Sequence, residues 1–400
     1  MRITLRRNKE KDLRRGYPWV FANQIDDVSG SPTSGDVVEI ASSTGTLYGL
    51  GLYHADSLIA VRFLTSDVSR PIDADFFRER LERALAIRRQ AFGDSSHYRL
   101  VNSESDGFPG TIIDRYGDVL TWSTLSFGMA QRRDAILDAL EELLAPRAIV
   151  ERNDAPLREK DNLEETSGVI RGTYDEPVEI QEEDVSFLVD VLKGPKTGFF
   201  IDQRINRQFL RRFARGRQTL DVFCADGGFG LHAAAAGAES VHMIDSSGTA
   251  LERARSNAER NGLLDKVTFE EAEALDRMGE MVDEGASYDL IILDPPAFAK
   301  SRRQVAQATK AYQRINITAL QMLRPGGILA TSSCSQAISE DDFVKIVDYS
   351  VRRSGSVVRT LHQGFQSPDH PVLPSMPETR YLKFFIHEKM RDEIPREQPG

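Results

Sequence analysis

Short runs of apolar and β-branched residues dominate the first part of the chain. Such runs lie at 37–40, 46–48 and 58–64, and Gly, Ser and Asp separate them. This pattern is typical of short strands joined by tight turns. It predicts a small β-rich module that ends near residue 70.

The middle of the chain mixes helical and strand periodicity. Phe77, Leu81 and Leu85 recur at helical spacing, which predicts a helix over about 74–92. Further patterns predict strands near 111–114 and 119–125, a helix near 129–144, a strand at 148–151 and an acidic loop over 159–165. We therefore expect a small α+β domain here.

After about residue 185, apolar runs alternate regularly with helical patterns. The predicted strands lie at 219–223, 240–244, 289–293 and 327–332. Such alternation is typical of a doubly wound parallel sheet, the Rossmann-like α/β class. The sequence thus predicts three domains, over 1–70, 71–184 and 185–400.

Composition and charge narrow the function classes. With 400 residues, 40% of them hydrophobic and 28% charged, the chain is typical of a multidomain globular enzyme. The net charge of −10 argues against a broad nucleic-acid surface, but residues 1–16 are strongly basic and have the charge to neutralise phosphates. A solvated terminal strand is the alternative for this segment.

Targeting and cysteine signals are sparse. The first twenty residues are polar and no apolar run reaches spanning length, so we expect a cytoplasmic protein without a membrane partner. The two cysteines, Cys224 and Cys334, lack the paired spacing of a zinc site, and we expect no metal.

A glycine turn follows the first strand of the α/β region. It reads Cys224-Ala225-Asp226-Gly227-Gly228 and runs into an alanine-rich helix. Glycine allows the backbone to approach a ligand closely, although such turns are also common for structural reasons. The turn matches neither the dinucleotide fingerprint nor the phosphate loop.

Acidic residues follow the next two strands. Asp245 is placed to accept hydrogen bonds from a ribose, and Glu273 is placed to receive an adenine amino group. A helix N-cap or a solvated loop is the structural alternative for each. A short glycine turn with two acids and no phosphate cradle favours S-adenosylmethionine, which carries no phosphate.

The residues that would perform the chemistry are predicted directly after the strands at 289–293 and 327–332. Asp294 opens a rigid Pro-Pro loop, and Cys334 lies between serines after the following strand. Phe298 is suited either to stacking on a base or to core packing. A thiolate that adds to carbon 6 of a pyrimidine makes carbon 5 nucleophilic, and Asp294 would offset the charge that develops on the ring.

Several long motifs occur in a characteristic order. They are 15–21 (RGYPWVF), 102–110 (NSESDGFPG) and 196–204 (KTGFFIDQR), followed by the Asp-Pro-Pro loop and Ser-Cys-Ser. Together they resemble the class I RNA cytosine-5 methyltransferases, specifically the family that methylates large-subunit ribosomal RNA and carries an N-terminal PUA domain. The resemblance covers nearly the whole chain.

The resemblance implies roles for individual residues. Cys334 would be the nucleophile and Asp294 the base-contacting acid. The cofactor-binding set would comprise Phe200, Gln203, Arg204, Asp226, Gly227, Gly228, Asp245, Glu273 and Asp294. Many related enzymes have a second cysteine after the two prolines for product release, whereas this chain has Ala297, so release must rely on another group or on water.

Three functions remain open from the sequence. The first is formation of 5-methylcytosine in single-stranded or unfolded large-subunit ribosomal RNA, because the base must be exposed for attack. The second is methylation of a guanine amine without a covalent intermediate, and the third is RNA binding without catalysis. The sequence also leaves a homodimer open.

Overall fold

The computed structural model describes residues 1–154, 156–299 and 301–390. Two compact units are present among the described residues: the first comprises 1–180, 189–201 and 368–379, and the second comprises 181–188, 202–367 and 380–390. The division of the chain into three domains stays a prediction. No helix among the described residues is long and apolar enough to cross a membrane.

A six-stranded sheet lies at the start of the first unit. Its strands have the order β2-β6-β5-β4-β1-β3. The elements are β1 (Arg2–Leu5), α1 (Glu10–Arg14), β2 (Trp19–Phe21), β3 (Ile25–Ser29), β4 (Val37–Ala41), β5 (Leu47–Tyr53) and β6 (Ile59–Thr65). The apolar runs predicted as strands are therefore strands, and Ile3, Val38 and Val61 form part of their buried core.

A five-stranded sheet with packed helices completes the first unit, in the strand order β11-β10-β9-β8-β7. Its elements are α2 (Ala74–Phe92), β7 (His97–Asn102), β8 (Thr111–Tyr116), β9 (Val119–Thr124), α3 (Phe127–Ala130), α4 (Arg133–Leu144), β10 (Ala148–Asn153) and β11 (Thr166–Gly172). The helix predicted at 129–144 is thus two helices. The acidic stretch predicted as a loop begins within a 3-10 turn, Pro156–Asp161.

A seven-stranded sheet forms the second unit, in the order β16-β15-β14-β17-β18-β20-β19. A two-stranded sheet, β12 (Val178–Glu182) with β13 (Val185–Val189), precedes it. The remaining elements are α5 (Arg204–Leu210), β14 (Gln218–Val222), α6 (Gly228–Ala235), β15 (Ser240–Asp245), α7 (Gly248–Arg260), β16 (Val267–Glu271), α8 (Ala274–Asp283), β17 (Tyr288–Leu293), α9 (Val305–Met322), β18 (Leu323–Ser333), α10 (Glu340–Arg353), β19 (Val358–Gly364) and β20 (Lys383–Lys389).

The strand order confirms the Rossmann-like class. Strands β14 to β18 run parallel to one another, whereas β20 is antiparallel to both β18 and β19. The sheet is therefore mixed, with an antiparallel edge that the periodicity did not predict. The order reverses between β14 and β17, and ligands bind at such a switch point outside the carboxyl ends of the strands.

Candidate active site

The turn after β14 has an unusual backbone. Phe223, Ala225 and Gly227 have φ of 65°, 47° and 83°, and two of these three residues are not glycine. Left-handed backbone at non-glycine residues is uncommon and concentrates at functional sites. The amides of Phe223 and Cys224 both donate to the Ile244 carbonyl, at 2.9 and 3.2 Å, so β15 holds the turn in this conformation.

Asp245 stabilises the same turn from the end of β15. Its Oδ2 accepts from the Ala225 amide and its Oδ1 from the Ser247 amide, both at 2.9 Å. Each carboxylate oxygen has two lone pairs, so Asp245 keeps acceptor capacity for ribose hydroxyls. This geometry fits the role that the sequence predicts.

Asp226 faces α7. Its Oδ1 accepts from Arg253 Nε at 2.9 Å, and its carbonyl accepts from Asn257 at 3.1 Å. Burial raises the pKa of the Asp226 carboxyl, and the bond from Arg253 opposes that shift. The carboxylate thus joins the glycine turn to α7, a supporting contact that the sequence did not predict.

Glu273 occupies the N-cap position of α8. Its side chain makes no capping hydrogen bond, and the residue is exposed. Glu273 thus holds the N-cap position without capping through its side chain, and its exposure is equally compatible with the solvated alternative. The contact with an adenine amino group stays a prediction.

Asp294 lies directly after β17 in a hydrogen-bonded network. Its Oδ1 accepts from Gln203 Nε2 at 2.8 Å and from Ser332 Oγ at 2.5 Å. Asn206 Nδ2 donates to Gln203 Oε1 at 2.6 Å, which orients the glutamine amide. Burial raises the pKa of the Asp294 carboxyl, while the bond from Ser332 lowers it.

Cys334 lies beside the Asp-Pro-Pro loop. Its Sγ is 3.8 Å from the Pro295 carbonyl oxygen, and the residue is half-buried whereas Cys224 is buried. The Ala299 amide donates to Ser335 Oγ at 3.1 Å. These contacts join the loops that carry Asp294 and Cys334, as the sequence predicts.

Phe298 packs into the hydrophobic core. Its ring centroid is 4.7 Å from that of Tyr312 and 6.2 Å from that of Phe223. The half-buried ring thus packs against the core, and stacking on a base stays a prediction.

The segment 196–204 is divided between the two units. Gln203 and Arg204 belong to the second unit, whereas Phe200 belongs to the first. The ammonium of Lys196 lies 4.8 Å from the Phe200 ring centroid. Arg204 opens α5 and is buried. Cofactor binding by Phe200 and Arg204 stays a prediction.

Asp221 is a residue that sequence reasoning missed. It is buried in β14, and its Oδ2 accepts from the Gly230 amide at 2.8 Å. Burial raises its pKa well above the ordinary value, and the charges of Asp294 and Asp245 add to the shift. The sequence did contain a signal for Asp221, because an acidic residue within the apolar run 219–223 is unusual.

Three acidic residues lie near the ends of β14, β15 and β17 at this edge of the sheet. Asp221, Asp245 and Asp294 are close enough for their charges to interact. Within the described ranges, no group of three or more His, Cys, Asp or Glu side chains is arranged to hold a metal ion.

Comparisons with known proteins cover both units. Residues 130–375 match the family model of S-adenosylmethionine-dependent methyltransferases, and residues 3–66 match that of a PUA-like domain. The protein named ribosomal RNA large subunit methyltransferase I from Shewanella denitrificans is 41% identical over 391 residues, covering 96% of this chain and 98% of its own length. The protein of that name from Aeromonas salmonicida is 40% identical with the same coverage.

Two solved structures share the fold over nearly the whole chain. One is SMU.776, described as a proposed methyltransferase complexed with SAH. It has a TM-score of 0.84 at 22% identity and covers 97% of this chain and 100% of its own. A proposed SAM-dependent methyltransferase from Streptococcus mutans has a TM-score of 0.82 at 21% identity, over 96% and 100% of the two chains. At these identities the likeness concerns the fold alone.

Proposed function

Because the chain belongs to the family of S-adenosylmethionine-dependent methyltransferases, we propose that it transfers the cofactor's methyl group to carbon 5 of a cytosine in large-subunit ribosomal RNA. The names of the relatives that are 40–41% identical support the RNA class. The single observation that carries the proposed chemistry is the contact between the Asp294 and Cys334 loops at the carboxyl ends of the neighbouring strands β17 and β18.

The cofactor would lie against the turn after β14. When bound, S-adenosylmethionine supplies an electrophilic methyl group on a cationic sulfur. Gly227 and Gly228 would allow close approach of the backbone, Asp245 would accept from the ribose and Glu273 from the adenine amino group.

Cys334 would act on the RNA base as a nucleophile. Its thiolate adds to carbon 6 of the cytosine, and the electron pair of the 5,6 double bond makes carbon 5 nucleophilic. Carbon 5 takes the methyl group, its proton then leaves, and the re-formed double bond expels the Cys334 sulfur. Ala297 stands where many related enzymes have the releasing cysteine, so water or another group takes this proton.

Asp294 would hold the cytosine ring during this addition. Burial raises its pKa, which favours a protonated carboxyl able to donate a hydrogen bond to N3 as negative charge develops there. Gln203 and Ser332 fix the orientation of the carboxyl, so little reorganisation accompanies the addition.

The first sixteen residues would contact the RNA backbone. Their arginines and lysines at 6, 7, 9, 11, 14 and 15 are all exposed. Phosphate contacts of this kind position the nucleic acid without reading its sequence. An exposed, single-stranded or unfolded segment is the expected substrate, because the base must be accessible to Cys334.

Labelled cofactor tests this function directly. The protein and its Cys334→Ala variant are incubated with tritiated S-adenosylmethionine and unmodified large-subunit ribosomal RNA, and the RNA is digested to nucleosides. We expect label in 5-methylcytosine with the wild type alone, while calorimetry finds cofactor binding in both proteins. RNA that contains 5-fluorocytosine should remain covalently attached to the wild type, because fluorine cannot leave as a proton does.

Other outcomes identify the competing functions. Label in a methylated guanine, or full activity of Cys334→Ala, contradicts the covalent mechanism and favours methylation of a guanine amine. Cofactor binding and RNA binding without any transfer indicate a non-catalytic RNA-binding protein.

A further inference from the structure

Lys383 is a buried lysine at the start of β20. Its residue is 3% exposed. Its Nζ donates to the carbonyl oxygens of Ser335, Ile338 and Tyr381, each at 2.8 Å. A neutral amine has two protons and an ammonium has three. Three carbonyl acceptors around one nitrogen therefore select the charged form.

The ammonium lies beside the segment that carries Cys334. In the antiparallel pairing of β18 and β20, Lys383 is opposite Ser333. Ser335, which accepts one of its three bonds, directly follows the cysteine. The Cys334 thiol is the first among the groups whose charge acts on Lys383, before Glu340 and Asp342. The geometry thus brings a fixed positive charge to the cysteine.

We propose that Lys383 is a positioning residue that holds the 335–338 turn and keeps the Cys334 sulfur ionised for attack. This inference rests on the proposed function, in which Cys334 is the nucleophile. The three ammonium protons bond to carbonyl oxygens, so Lys383 acts on the sulfur through its charge and not by proton transfer. The thiol proton leaves to solvent before the base arrives.

Other titratable groups near Lys383 influence its charge. Burial lowers the pKa of Lys383 to about 8, and the negative charges of Cys334, Glu340 and Asp342 oppose that shift. The Tyr312 hydroxyl also faces the segment, through Ser335 Oγ at 3.0 Å, and burial raises its pKa. Tyr312 is therefore neutral near pH 7, and Lys383 is the cation among these groups.

Alkylation of Cys334 tests the inference without RNA or cofactor. The full-length protein, Lys383→Met and Lys383→Arg are treated with iodoacetamide between pH 5.5 and 9, and the peptide that contains Cys334 is quantified by mass spectrometry. Loss of the charge should move the pH midpoint of the reaction upward by about one unit, which lowers the rate at pH 7 by about three- to tenfold, depending on how far above pH 7 the midpoint lies. Lys383→Arg should keep a midpoint close to that of the wild type.

The buried Cys224 reports folding in the same experiment, since it should stay unmodified in each folded variant. A folded Lys383→Met with the wild-type midpoint overturns the inference. If Lys383→Met unfolds, the pH midpoint of Cys334 alkylation in the wild type is the test. A midpoint at or above about 8.5, the ordinary pKa of a cysteine thiol, also overturns the inference. Failure of the proposed function would appear separately, as methyl transfer by Cys334→Ala.

Discussion

Gly230, in helix α6 next to the candidate site, has no room for a side chain. A Cβ at this position would lie 2.4 Å from Met243 Cε and 2.8 Å from Asp221 Oδ2. Gly279, in contrast, is a helical glycine with nothing within 4 Å of its Cβ position. The two glycines form a matched pair, because they lie in helices α6 and α8 of the same unit.

Substitution by alanine should affect the two glycines in opposite directions. Gly230→Ala should destabilise the unit by about 1–3 kcal/mol through overpacking. Gly279→Ala should stabilise it by about 0.5–1 kcal/mol, since alanine loses less backbone entropy in a helix. Thermal unfolding followed by circular dichroism measures both, and a higher melting temperature for Gly230→Ala would contradict the crowding.

At the scale of elements, β20 has a titratable residue in a largely buried strand. His387 lies opposite Leu329 of β18, its Nδ1 is 3.1 Å from Thr360 Oγ1, and it stacks on Phe385. Burial lowers the pKa of His387 to about 4. The unfolded chain, with a pKa of about 6.5, therefore binds the proton more readily than the folded one.

The pH dependence of stability follows from this difference. The contribution of neutral His387 to the free energy of unfolding is fully present above pH 6.5 and is lost as the pH falls toward 4. Between pH 7 and pH 5 the loss should be about 2 kcal/mol. His387→Leu should therefore lose less stability than the wild type over this interval, as measured by melting temperatures at both pH values. Equal losses in the two proteins would contradict the assignment.

Local periodicity predicted several elements closely, because strands and helices depend on neighbouring residues, but it missed others such as β1, β7 and β20. The helix predicted at 74–92 is Ala74–Phe92, and the strand predicted at 289–293 is Tyr288–Leu293. Lys383 was missed as a neighbour of Cys334 because their proximity depends on the antiparallel register of β20. The sequence likewise does not show where a side chain points. The contact of Asp226 with Arg253 and the packing of Phe298 are therefore visible only in the structure.

At the scale of the whole molecule, the chain passes repeatedly between its two units. The segment 368–379 belongs to the first unit, where Arg88 Nη2 donates to the Asp369 carbonyl and the Arg99 amide donates to Asp369 Oδ2, both at 2.9 Å. Arg88 is fully buried and also forms an ion pair with Asp106 at 2.6 Å. A distant part of the sequence thus completes the environment of a buried charge.

A fragment that lacks this segment should be less stable. Residues 1–201 alone should melt at a lower temperature than the same residues joined by a Gly-Ser linker to 368–379, because a buried polar group without its partner costs about 1–3 kcal/mol. The matched control has Asp369→Ala within the linked segment and should lose part of the gain. Identical melting temperatures for all three fragments would show that the segment contributes nothing.

The late position of 368–379 also affects synthesis of the protein on the ribosome. Chains emerge at about 5–20 residues per second, so roughly 10–40 s separate residue 201 from residue 379. During that interval the N-terminal unit has nearly all of its sequence but not the strip that contacts Arg88 and Arg99. Completion of the N-terminal unit therefore waits for translation of most of the second unit.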